Sequence, residues 1–175
     1  LVEGQIMETQ KPVAGEDPLE HYLDVVAGKT GSLIATSAHY GAIFGGASAE
    51  VTAALTAYGE IVGSAFQLSD DILDIASETD ESGKTPGTDL REGVPTLPVL
   101  MAQATEDPAD ARLLELLQAD LTDDSLHAET LTLLVKLAET RDLTGFLRRM
   151  TEGEAINATE NRAALHIALR AERSY

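Results

Sequence analysis

An almost unbroken helical periodicity limits this chain to an all-α fold more than any other feature does. Apolar residues recur at spacings of three and four, and no segment sustains the alternation of apolar and polar residues that a half-buried strand requires. Ala, Leu and Glu, which favour helices, dominate the composition, whereas aromatic residues make up only 4%. No internal repeat or low-complexity linker divides the chain. We therefore predict that residues 1–175 form a single all-helical domain.

Local signals place the helix ends. Pro18 after Asp17 is typical of a first helical turn, Gly45 with Gly46 of a helix end, and Ser48 of a helix N-cap. The segment 77–95, rich in Thr, Gly and Pro, predicts a loop. The predicted helices span residues 1–10, 18 to a junction at 28–31, 32–44, 49–76, 96–105, 109–119, 125–139 and 155–173, with a short helix or turn at 144–153.

The charge balance excludes several classes of partner. The chain has 30 acidic residues against 12 Lys plus Arg, a net charge of −18. Such a surface repels nucleic acid and anionic lipid headgroups, and a polyanionic substrate would need metal cations to bind. Cysteine is absent, which fits a reducing cytoplasm. No stretch approaches the length of about eighteen apolar residues that a transmembrane helix needs.

A stripe of carboxylates lies near the end of the longest predicted helix. At 100° per residue, Gln67, Asp70, Asp71 and Asp74 fall within an arc of about 100° on one helix face. Their mutual repulsion is unfavourable, and carboxylates near a helix C-terminus also oppose its dipole. Hard divalent cations with oxygen ligands would offset both costs, and Mg²⁺ held by carboxylates and substrate phosphates is the usual arrangement. The alternative is a solvated acidic face.

Two short segments add cations beside glycines. Lys84 and Arg91 lie in the predicted loop, where Gly83 and Gly87 would let the backbone approach a phosphate closely. An ordinary polar surface loop explains the same residues. The segment 28–31, Gly-Lys-Thr-Gly, lacks the spacing and the preceding strand of a phosphate-binding P-loop, and alone it indicates a structural junction.

Together these segments resemble the trans-isoprenyl diphosphate synthases, or polyprenyl synthetases, from the middle of the enzyme to near its end. The resemblance covers about the first 105 residues closely and the remaining helices only by pattern. The motifs that carry it, in family order and spacing, are Gly28-Lys29-Thr30, Phe66-Gln67 with Asp70-Asp71-x-x-Asp74, Gly83-Lys84, Asp89-Leu90-Arg91-Glu92-Gly93 and Thr96-Leu97-Pro98, preceded by Gly4-Gln5-x-x-Glu8.

The resemblance implies an all-helical bundle of the isoprenoid synthase type around an apolar cavity, usually in a homodimer. It implies condensation of isopentenyl diphosphate head-to-tail onto an allylic diphosphate. Asp70, Asp71 and Asp74 match the second aspartate-rich motif, which would hold Mg²⁺ bridging the allylic diphosphate.

The resemblance also assigns roles to the remaining motif residues. Lys29 and Lys84 would contact the diphosphate, together with Gln67. Lys29, Thr30 and Gln67 would form the catalytic set, in which Thr30 and Gln67 stabilise the allylic carbocation and orient the group that loses a proton.

Two departures from the family pattern bear on activity. Val94 stands where family members often carry a second lysine, and the first aspartate-rich motif is missing. We therefore expect that this chain is a fragment lacking the N-terminal helices and that it is inactive alone. The alternatives are a terpene cyclase of the same architecture and a non-catalytic partner subunit of a prenyl synthase.

Other polar residues receive structural interpretations. Asp123 and Asp124 precede a predicted helix and indicate a helix cap. The four histidines do not form a metal-ligand spacing, and we interpret them as structural or surface residues: His21, His39, His127 and His166.

Overall fold

The structure, a computed structural model, describes residues 1–76 and 85–143. In these two ranges the regular structure is helical throughout, which confirms the predicted all-α class. The helices are α1 (Val2–Glu8), α2 (Pro18–Val26), α3 (Ser32–Phe44), α4 (Ala49–Ala76), α5 (Thr88–Glu92), α6 (Leu97–Gln103), α7 (Ala111–Leu116) and α8 (Asp124–Thr140), with a π-helical turn at Ala27–Gly31 and a 3-10 turn at Pro108–Asp110.

Local signals placed several helix ends correctly. Asp17 is the N-cap of α2, and its carboxylate accepts a hydrogen bond from the Leu19 N–H at 2.9 Å. Ser48 precedes α4, and its hydroxyl accepts from the Val51 N–H at 3.3 Å. Helices α3 and α4 have the predicted bounds. Side-chain caps need only local sequence, so these ends could be predicted without the fold.

Three predictions differ from the structure. The junction at 28–31 is no break, because a π-helical turn joins α2 to α3. The predicted loop contains the short helix α5. The predicted helix 109–119 is shorter and begins with a 3-10 turn at Pro108–Asp110. The segments 77–84 and 144–175, with the helix predicted at 155–173, lie outside the described residues.

The chain divides into two compact units, and the division falls within α4 after Gln67. In the first unit, small residues bring helices into close contact. A Cβ atom on Gly59 would lie 2.9 Å from the Ala35 Cα, and one on Gly63 would lie 2.9 Å from the Gly31 Cα. No side chain fits at such distances, so these glycines set how closely α4 approaches α3 and the π-helical turn.

The second unit, described from Leu68 to Leu143, has a leucine core. Six of its leucine side chains are at most 2% exposed: Leu68, Leu97, Leu113, Leu116, Leu134 and Leu143. Arg112 of α7 donates to both carboxylate oxygens of Glu129 on α8, at 2.8 and 2.9 Å, and these hydrogen bonds lower the pKa of Glu129. Burial of these leucine side chains therefore stabilises the second unit, and the exposed bidentate ion pair between Arg112 and Glu129 also links α7 to α8.

One face of α4 in the first unit is apolar and exposed. Its side chains are 36–64% exposed and recur at spacings of four and three, which places them on one side of the helix: Val51, Leu55, Tyr58, Val62 and Phe66. Neighbouring α3 exposes further large apolar side chains, of which Phe44 is 86% exposed. Contiguous apolar surface of this kind is typical of binding surfaces. Within the described residues, every helix is too short or too polar to cross a membrane.

Asp123 caps α8, as predicted. Its carboxylate accepts from the Ser125 hydroxyl and from the Leu126 and Ser125 N–H groups, the last two at 3.1 and 2.8 Å, and these bonds lower its pKa below 3.8. A depressed pKa in the folded state stabilises the fold above the unfolded-state pKa, and this contribution is lost as the pH falls through the folded-state value. We expect Asp123→Ala to lower the melting temperature by a few degrees at pH 7, and the difference from wild type to shrink below pH 3.8.

Thermal unfolding monitored by circular dichroism at several pH values would check this. Asp123→Asn is the matched control, because its amide oxygen keeps the cap but does not titrate. A deficit of Asp123→Ala that is the same at pH 7 and pH 2.5 would contradict the expectation.

Candidate active site

The three aspartates of the predicted metal motif lie in the last two turns of α4, all in the second unit. Asp70 and Asp74 are half-buried, whereas Asp71 is only 3% exposed. The Asp71 carboxylate accepts the N–H of Leu97 at 3.0 Å, at the first residue of α6. Asp71 therefore satisfies a backbone donor at a helix start, where the helix dipole also favours a negative charge.

Asp74 is held by the turn that precedes α5. The Gly87 N–H donates to the Asp74 main-chain oxygen at 2.7 Å, and the Asp89 N–H donates to its carboxylate Oδ2 at 3.3 Å. Gly87 has φ 69°, a left-handed conformation that favours glycine. The turn thus returns to the end of α4 and contacts the last aspartate of the motif.

Lys29 lies on the π-helical turn of the first unit and pairs with a residue of α1. Its ammonium group donates to the two carboxylate oxygens of Glu8 at 2.8 and 3.0 Å, and both side chains are about one third exposed. Gly4 makes this approach possible, since a Cβ there would lie 2.5 Å from the backbone of Gly28 and Lys29. Glu8 therefore fixes where the Lys29 ammonium lies.

Thr30 and Gln67 meet in the first unit although they are 37 positions apart. The Thr30 hydroxyl donates to the Gln67 Oε1 at 2.9 Å, and both side chains are half-buried. The resemblance named these two residues, and the structure brings them together. A hydroxyl that donates one hydrogen bond keeps acceptor capacity on its oxygen, which suits it to face positive charge.

The metal site remains a prediction. Among residues 1–76 and 85–143, no group of three or more histidine, aspartate or glutamate side chains lies close enough together to hold a metal ion. The donor chemistry nevertheless fits Mg²⁺, because three carboxylates share one end of α4 and each carboxylate offers about four lone-pair sites, more than one N–H uses. Lys84, the second predicted diphosphate ligand, lies outside the described residues.

Sequence reasoning missed two partners. It did not assign Glu8 to Lys29, although Glu8 belongs to the Gly4-Gln5-x-x-Glu8 pattern. It also did not anticipate that Asp71 serves the backbone of α6. Of the histidines within the described residues, His127 is buried, and His21 and His39 bond to main-chain oxygens and to Thr56 respectively. These contacts agree with structural roles, and His166 lies outside the described residues.

A match to a protein-family model identifies the family of this chain. The polyprenyl synthetase model matches residues 1–134, which include every predicted site residue. The chain is a member of the polyprenyl synthetase family. The resemblance inferred from the motifs is thereby confirmed.

Individual members of the polyprenyl synthetase family agree. The chain is 51% identical to a nonaprenyl diphosphate synthase of Mycobacterium tuberculosis, over 77% of this chain and 40% of that protein. It is 42% identical, over the same shares, to a dimethylallyltranstransferase of the same organism. The chain thus spans less than half the length of these relatives.

A solved structure shows the same fold. A geranylgeranyl pyrophosphate synthase from Corynebacterium glutamicum, complexed with calcium and isoprenyl diphosphate, matches with a TM-score of 0.75 and 38% identity. The match covers 99% of this chain and 55% of that one. The bundle is therefore of the isoprenyl synthase type.

A second family model, phosphoglucose isomerase, matches residues 120–175. It overlaps the polyprenyl synthetase match at residues 120–134 and continues to the last residue. The described part of this match is mostly helix α8.

Proposed function

We propose that this chain belongs to an enzyme that condenses isopentenyl diphosphate head-to-tail onto an allylic diphosphate. The observation that carries the proposal is the carboxylate set of α4, Asp70, Asp71 and Asp74, within a member of the polyprenyl synthetase family. The names of its relatives, which are synthases and a transferase of prenyl groups, favour this reading over a terpene cyclase.

The carboxylates are the proposed Mg²⁺ ligands. Bound Mg²⁺ would supply positive charge that stabilises a departing diphosphate. Asp70 and Asp74 are the more accessible donors, whereas Asp71 also holds the start of α6. The calcium and isoprenyl diphosphate in the Corynebacterium glutamicum synthase support a metal and a diphosphate as ligands of this family.

The polar residues of the first unit would serve the organic part of the reaction. Lys29 and Gln67, together with Lys84 from outside the first unit, would bind the diphosphate through charge and hydrogen bonds. Thr30 and Gln67 would direct oxygen dipoles at the allylic carbocation and orient the group that loses a proton. The exposed apolar face of α4, from Val51 to Phe66, suits contact with a hydrocarbon chain and exclusion of water.

A condensation assay tests the proposal. The full-length gene product would be incubated with isopentenyl diphosphate, a short allylic diphosphate and Mg²⁺, and the products separated by length. We expect elongated prenyl diphosphates that disappear when Mg²⁺ is removed by a chelator. If no elongation occurs but the allylic diphosphate cyclises, the protein is a cyclase. If neither occurs but another synthase gains activity on mixing, it is a partner subunit.

Three further expectations go with this function. We propose that the enzyme is a homodimer and acts in the cytoplasm, and that the 175-residue chain alone is inactive because the first aspartate-rich motif is missing. Condensation by the 175-residue chain in isolation would refute the last of these.

The second family match favours an additional candidate for the C-terminal part. Residues 120–175 match phosphoglucose isomerase, and the polyprenyl synthetase match ends at residue 134. We propose as the second candidate that this part contributes to isomerisation of a phosphorylated glucose. Isomerase activity of the full-length product that persists in Asp70→Ala and without Mg²⁺ would support it, and the absence of this activity would refute it.

A further inference from the structure

His127 joins helix α8 to the turn before α5 through a buried hydrogen bond. The ring is 5% exposed, and its Nε2 lies 2.8 Å from the main-chain oxygen of Gly87. A carbonyl oxygen can only accept, so Nε2 carries the proton and donates. The bond spans 40 positions, so it fixes the turn from a different part of the second unit.

The turn has little freedom on the His127 side. A Cβ on Gly87 would lie 2.9 Å from the His127 Nε2 and 3.1 Å from the Leu131 Cδ1. Because of these short distances and the left-handed φ of 69°, glycine is the residue that fits at position 87. The imidazole therefore packs against the turn as well as bonding to it.

The other side of the same turn faces Asp74. The Gly87 N–H donates to the Asp74 main-chain oxygen at 2.7 Å, and two residues later the Asp89 N–H donates to the Asp74 carboxylate at 3.3 Å. His127 thus holds the main-chain oxygen of Gly87, and the same short stretch of backbone orients the Asp74 carboxylate. All of these residues belong to the second unit.

A second link between α5 and the start of α8 is exposed and offers a control. Arg91 pairs with Asp124 at 2.9 Å, and the side chains are 36% and 93% exposed. Exposed pairs of this kind contribute little to stability. The buried His127 bond is the stronger constraint on the turn, because an unmet buried donor or acceptor is costly.

We propose that His127 is a positioning residue for the Asp74 carboxylate, acting through the Gly87–Asp89 turn. This rests on the proposed metal-binding role of Asp74. Residues that orient a metal ligand commonly change metal affinity by about 10- to 100-fold when mutated, although they do not contact the metal.

Two measurements on the full-length gene product test the proposal. The first is the dissociation constant of Mn²⁺, measured by electron paramagnetic resonance without any diphosphate. Only the Mn²⁺ binding that is lost in Asp74→Ala is counted. The second is hydrogen exchange of the Asp89 amide without metal. We expect His127→Leu to raise the dissociation constant about tenfold and to speed exchange at Asp89 by about tenfold or more. His127→Gln, whose amide can donate from a similar position, should recover most of both, and Asp124→Ala should change neither.

The outcomes separate this inference from the proposed function. If wild type shows no Mn²⁺ binding that depends on Asp74, the metal role fails, and exchange at Asp89 alone decides whether His127 holds the turn. Wild-type exchange and affinity in His127→Leu, or equal losses in His127→Gln and His127→Leu, would overturn the positioning role. Should His127→Leu not fold, imidazole nitrogen shifts of wild type decide, since a ring protonated only on Nδ1 cannot donate to Gly87.

Discussion

Asp70→Ala is expected to lower the rate of Mg²⁺-dependent condensation by the full-length gene product about 100- to 1,000-fold, the usual scale for losing one preorganised electrostatic contribution to catalysis. Its carboxylate is half-buried at the end of α4. Asp71→Ala should also lower stability. It leaves the buried Leu97 N–H without its acceptor, at a cost of about 1–3 kcal/mol in the free energy of unfolding, in addition to any loss of activity.

Steady-state rates at saturating substrate and urea unfolding of the same preparations would separate these effects. Asp71→Asn is the matched control, since its amide oxygen can still accept from Leu97 while the charge is lost. It should restore stability but not activity. An Asp70→Ala enzyme with wild-type rates would remove this residue from the proposed metal site, and equal stability of Asp71→Ala and wild type would contradict the role assigned to the Leu97 contact.

Gly4→Ala is expected to destabilise the first unit by about 1–3 kcal/mol, as overpacking of a close contact does. The added Cβ would lie 2.5 Å from the Gly28 carbonyl carbon and the Lys29 nitrogen, both backbone atoms that cannot swing away. Helix α1 would have to move away from the π-helical turn, and the 2.8 Å contact between Glu8 and Lys29 would lengthen with it.

Urea unfolding measures the change in free energy, with Gly41→Ala as the matched control. Gly41 lies inside α3, is exposed, and has open space where a Cβ would be added. The same substitution there should stabilise the protein by about 0.5–1 kcal/mol, because alanine favours helix over glycine. If Gly4→Ala proved as stable as Gly41→Ala, the close approach of α1 to the π-helical turn would be refuted.

Much of the fold could be predicted because its signals are local. Asp17 with Pro18, Gly45 with Gly46, and Ser48 mark helix ends through side-chain caps and backbone preferences that act within a few residues. Helix α5 escaped prediction because five residues between glycines carry little helical periodicity. Its position depends on the bonds that Gly87 makes to Asp74 and to His127, 13 and 40 positions away.

The candidate site, like the fold, could be predicted only in part from the sequence. The sequence determined that α4 carries Gln67, Asp70, Asp71 and Asp74 on one face, because helical geometry alone fixes which side chains share a side. Family order and spacing determined the membership that the comparison confirmed. Neither could show that Asp71 holds the start of α6, that Glu8 binds Lys29, or that His127 supports the turn beside Asp74. Those contacts join residues 21 to 40 positions apart, and only the packing of helices decides which distant groups come within hydrogen-bond distance.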